Sequence, residues 1–215
     1  MKTIALFLAS LVGVSQAQRF RQQRTLRITV TNVAYRQPLS QFFVSVHDET
    51  SVPLFQMGTE ATSALATLAE QGDPSELDTF YNGEASQGIL SAVVAGDAPT
   101  GPGGSISFDV TVNRDYPYIS FAAMAVNTND CFIGISGMEL WGGETISSPG
   151  YDSGSEENNE DCASVPGPAC GGLERSGNGE GFVHIHRGVH GIADLTQSVY
   201  DWRNPMARIT VERIA

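Results

Sequence analysis

"LRITVTNVAY", residues 26–35, alternates apolar and polar side chains, with Leu26, Ile28 and Val30 on one face. A period of two marks a half-buried strand, because successive side chains of an extended chain point to opposite sides. The alternation returns in "ISFDVTV" (106–112), which sends Ile106, Phe108, Val110 and Val112 one way. "SQFFVSVHDE" (40–49) carries Phe42, Val44 and Val46 on one side and Phe43, Ser45 and His47 on the other. "YISFAAMAV" (118–126) and "CFIGISGMEL" (131–140) read as core strands, and "GFVHIH" (181–186) and "MARITVERI" (206–214) complete the set. Helical spacing is clear in "TEATSALATLAEQGD" (59–73). There Thr59 or Thr62 caps, Ala61, Leu65 and Leu68 share a face, and Gly72-Asp73-Pro74 stops the helix. A second short helical turn is expected over Ser75–Tyr81. These elements predict an all-β protein, an antiparallel β-sandwich with one short α-helix around residues 60–71.

The first 17 residues, "MKTIALFLASLVGVSQA", read as a secretory signal peptide: one basic residue, an apolar stretch, then small residues before the cleavage point. The apolar stretch falls short of the roughly 20 residues a membrane-spanning helix needs, and no later segment approaches it. A secreted protein without a transmembrane segment is therefore expected. Residues 18–24 form a basic arm in which Arg19, Arg21 and Arg24 run against the acidic trend, and one domain fills residues 25–215. The formal net charge of −12 becomes −13 once Lys2 leaves with the signal. The chain has no other lysine, which excludes Schiff-base chemistry and a phosphate-loop lysine. An acidic surface repels nucleic acid and anionic membranes, and favours cations instead.

Three cysteines meet an oxidising compartment. Cys162 and Cys170 bracket a proline-glycine loop and are expected to pair, leaving Cys131, in an apolar run, as a buried free thiol. A long polar tract separates Trp141 from Gly179, and such tracts in compact domains usually carry function.

Within that tract, Asp152-Ser-Gly-Ser-Glu156 places two carboxylates four apart around a glycine, with Asp130 a third acid just before a strand. Calcium takes six to eight oxygen ligands, so such acids suit it; a solvated acidic loop explains the same composition. "GEGFVHIHRGVHG" (179–191) holds three of the four histidines. His184 and His186 share a strand face, and the Arg187-Gly188 turn offers His190 a way back to it. His47 is a candidate fourth member, and imidazole suits zinc or copper. A hydrogen-bonded polar cluster is the alternative. No nucleophile elbow, His-Glu-x-x-His helix or phosphate loop occurs, so no catalysis is expected.

"TNDCFIGISG", "YDSGSEEN" and "NPMARITVERI", with "TVTNVAYRQPLSQFFVSVHD" and "VHIHRGVHGI", resemble the spondin domain, the amino-terminal module of F-spondin, and its single-domain microbial members. That resemblance spans about residues 25–214 and implies a β-sandwich with calcium held by Asp130, Asp152 and Glu156, the last standing where animal members carry aspartate. It also implies an extracellular adhesion or binding module contacting another extracellular protein or a matrix or envelope component. The rival reading is a secreted zinc- or copper-binding protein, or a metalloenzyme, built on the histidines.

Overall fold

The structure, a computed structural model, describes residues 23–215. The expected signal peptide and residues 18–22 of the basic arm lie outside the described residues. Among the described residues, ten strands make two antiparallel sheets. The first contains β1 (Arg24–Asn32), β4 (Ser105–Val112), β7 (Thr145–Ser148) and β10 (Ala207–Arg213), in the order β4-β1-β10-β7. The second contains β2 (Phe42–His47), β3 (Ile89–Ala95), β5 (Tyr118–Met124), β6 (Cys131–Glu139), β8 (Tyr151–Asp152) and β9 (His184–Ile185), in the order β3-β2-β5-β6-β8-β9.

The alternation in β1 does what its period dictates. Leu26, Ile28 and Val30 are fully buried between the sheets. The outer face pairs Arg27 with Asp109 across the β1–β4 register, and sets Thr29 and Thr31 against the hydroxyls of Ser107 and Ser105. Opposite β1 lie Phe42, Val44, Ile119, Phe121, Ile133 and Ile135 of the larger sheet. Arg24, assigned from sequence to the arm, opens β1, and its guanidinium stacks 3.7 Å over the Trp141 ring.

The larger sheet is buried on its second face too. Helices α1 (Ser63–Gln71) and α2 (Ser75–Asn82) lie there, so Phe43, Ala122 and Phe132 pack against Leu65, Leu68, Leu77 and Tyr81. This is why every residue of β2 is buried despite its mixed sequence. Thr62, not Thr59, caps α1, its hydroxyl accepting from the Leu65 N–H, and Gly72 ends the helix at φ 70°. The "GFVHIH" strand proves shorter than expected: only His184 and Ile185 are paired, as the edge strand β9.

The tract after Trp141 contributes β7 and β8 and is otherwise irregular. A disulfide joins Cys162 to Cys170, and Cys131 is a buried free thiol in the core. Among the described residues no helix is long and apolar enough to cross a membrane.

Candidate metal centre

Three short segments meet at one end of the larger sheet. The register sets Cys131 of β6 opposite Asp152 of β8, and Asp152 opposite His184 of β9. Cross-strand partners project to the same face a few ångströms apart, so the ladder itself brings Asp152 to His184. Asp130 lies one residue before β6, and the His186 N–H is anchored to the Gly150 carbonyl.

Asp130 and Asp152 are both fully buried. Asp130 Oδ2 accepts from the Ser153 hydroxyl (2.8 Å) and from the backbone N–H groups of Ser155 (3.0 Å) and Glu156 (3.1 Å). Its Oδ1 is buried with no hydrogen-bond partner. Asp152 Oδ1 accepts from the Gly154 N–H (2.8 Å), and Oδ2 from the Asn158 amide (2.6 Å). Gly154 sits at φ 70°, and a Cβ there would meet the Phe182 carbonyl at 2.4 Å, so the turn requires glycine. Among the described residues no arginine pairs with either carboxylate. Burial, then the neighbouring Asp152 charge, push Asp130 up to about 7. Burial raises Asp152 as well.

Glu156 lies in the same turn but aims elsewhere. Its carboxylate accepts from the Ser176 N–H (2.9 Å), and burial pushes it up to about 7. It offers Asp130 its backbone N–H and belongs to neither group of converging ligand atoms. Of the three acids expected to share calcium, the fold thus brings together two.

The four histidines separate. His47 bonds the Ser120 hydroxyl (2.8 Å) and the Asp48 carbonyl (2.9 Å), so each ring nitrogen has its own partner. His190 contacts the Arg187 carbonyl through Nε2 (3.2 Å). Its N–H and those of Gly191 and Ile192 are donated to the buried Glu160 carboxylate, which ties the loop down. Only His184 and His186 reach the acids. His184 Nδ1 lies 3.7 Å from Asp152 Oδ1, and His186 Nε2 lies 3.9 Å from Asp152 Oδ2; both nitrogens are buried and unpartnered.

The two rings are nevertheless unlike. His186 Nδ1 accepts the Gly188 N–H at 2.9 Å, which leaves the proton of the neutral ring on Nε2. Burial, reinforced by the positive Arg187, pulls this histidine down to about 3, so the ring is neutral. It therefore directs an N–H, not a lone pair, at the carboxylates. A ligating histidine normally donates from its other nitrogen, and Gly188 occupies that position with a donor. His184 carries no such constraint at Nδ1. A carboxylate that the sequence reading missed, Glu180, stands with it: ligand atoms of Asp152, Glu180 and His184 lie within 4.8 Å of one another, as do those of Asp130, Asp152 and His186.

Calcium, the ion implied by the family resemblance, fits the Asp130–Asp152 pair. Two buried carboxylates with no arginine paired to them among the described residues, one oxygen orphaned, are the hard oxygen donors that calcium takes. The Glu156 carboxylate does not take part in that fit.

Fold and site together define an antiparallel β-sandwich module with a carboxylate–imidazole cluster at one end of one sheet. A family model described as Spondin_N matches residues 31–147, over half of the chain, and the protein belongs to that family. The match takes in Asp130 and ends before Asp152, Glu156, Glu180 and the paired histidines. No curated protein matches the chain.

Proposed function

We propose that the protein is an extracellular spondin-type binding module, without catalysis, in which a calcium ion at Asp130 and Asp152 fastens the irregular tract to the sandwich. Asp130 reaches it from the edge of β6 and Asp152 from the tract, so an ion between them ties framework to loops. The module works by contact with another extracellular protein or a matrix or envelope component. Family membership and the Cys162–Cys170 disulfide support the extracellular setting. The observation that carries the cation is the orphaned Oδ1 of Asp130, a carboxylate with an oxygen within 4.8 Å of one of Asp152. Burying two carboxylates without a counter-charge is costly, and a cation removes that cost. A ligand that binds only the native state stabilises it by mass action. Calcium should raise the melting temperature of the wild type, chelator should reverse the rise, and Asp152→Asn should abolish it. An unchanged calcium response in Asp152→Asn would refute the assignment.

A further inference from the structure

We infer that His184, Glu180 and Asp152 form a second cation site, open to solvent, for a transition-metal ion of the zinc or copper class. It shares Asp152 with the calcium site proposed above but does not depend on that site being filled.

The β8–β9 register fixes His184 opposite Asp152, and the side chains project together. His184 Nδ1 is a buried acceptor or donor without a partner, 3.7 Å from Asp152 Oδ1. That separation is too long for a hydrogen bond. It is the spacing of two atoms that share an ion at about 2.0–2.2 Å from each. Glu180 closes the triangle, its carboxylate within 4.8 Å of both.

The donor set decides the class. One imidazole nitrogen and two carboxylate oxygens suit zinc, copper or nickel, whereas calcium takes oxygen alone. Only His184 supplies the nitrogen, because the Gly188 N–H on His186 Nδ1 withholds the other ring. The Phe182 ring packs against His184 at 5.4 Å and limits its motion. The His184 side chain is 29% exposed and Glu180 is exposed, so an ion has an entry path and keeps positions for water. Three protein ligands with an open position is the arrangement of a reactive or exchangeable site rather than a closed structural one.

The test titrates the purified protein, with calcium saturating, with Co2+ and then with competing Zn2+, following ligand-field absorption. About one equivalent should bind, displaceable by zinc. Loss of a ligand in His184→Ala or Glu180→Gln should weaken binding by at least the roughly 10–100-fold that lost supporting contacts cost. His186→Gln, which removes the ring that the Gly188 N–H withholds, should bind as the wild type does. Equal weakening in His186→Gln would mean one common site and would overturn the inference. Absence of cobalt and zinc binding while calcium still raises the melting temperature would overturn it and leave the calcium reading intact. Zinc binding through His184 and Glu180 in a calcium-insensitive protein would support it and sink the other.

Discussion

The backbone N–H of Glu156 donates to Asp130 Oδ2 at 3.1 Å, while the Glu156 carboxylate turns away to the Ser176 N–H. The two residues touch, yet not through the groups that calcium ligation would use.

Glu156→Gln keeps an acceptor for Ser176 and leaves the backbone contact unchanged. The calcium-induced rise in melting temperature should therefore survive this substitution while it disappears in Asp152→Asn. Thermal unfolding with and without calcium checks it, and loss of the response in Glu156→Gln would restore that carboxylate to the ligand set.

Asp130→Asn should act in opposite directions in chelator and in calcium. Its amide oxygen still accepts from Ser153, Ser155 and Glu156, and its NH2 takes the place of the orphaned Oδ1. Removing one of two like charges in a buried pair should stabilise the protein in chelator by about 1–3 kcal/mol. In calcium the wild type should overtake it. Denaturant melts in both buffers measure the crossing, and a variant less stable in both would contradict the pairing.

Thiol counting separates the three cysteines. Cys131 is fully buried, and burial with the Asp152 and Asp130 charges pushes its thiol well above its ordinary value, so it should not react in the native protein. Unfolding without reductant should expose one thiol, and unfolding with reductant all three.

Tyr81 supplies a pH test. Its ring is buried against Phe43, its hydroxyl donates to the Val52 carbonyl, and burial raises the phenol above its ordinary value. A group raised in the folded state stabilises it below the unfolded pKa of about 10 and loses that contribution as pH climbs further. Melting temperature should fall above about pH 10, less steeply in Tyr81→Phe, whose baseline drops by about 1 kcal/mol for the lost hydrogen bond. Parallel curves for the two proteins would exclude Tyr81 as the cause.

Much of the framework was legible because period two and helical spacing are local signals. β1, β4 and α1 follow from them directly. Strand β3 (Ile89–Ala95) was not, since as an edge strand it leaves Leu90, Val93 and Val94 exposed and shows no clean alternation. Asp130 and Asp152 were legible by motif. Glu180 was not, because its neighbour Asp152 is distant in sequence and only tertiary contacts, the β8–β9 pairing and the Gly181 N–H on the Gly154 carbonyl, join them. The same pairing separated His184 and His186 from His47 and His190. The difference between the first two came from one backbone N–H, that of Gly188, which composition cannot show.

Strands β8 and β9 are two residues each, too short for ladder hydrogen bonds alone to choose their alignment. A slip of one place would bring Tyr151 or Ser153 to the position of Asp152 and turn the acid to the opposite face. Only a single threading of three distant chain segments presents Asp152 to Asp130 on one flank and to His184 on the other. A cation bound there would reward the correct threading alone, and so would proofread the alignment of the strands.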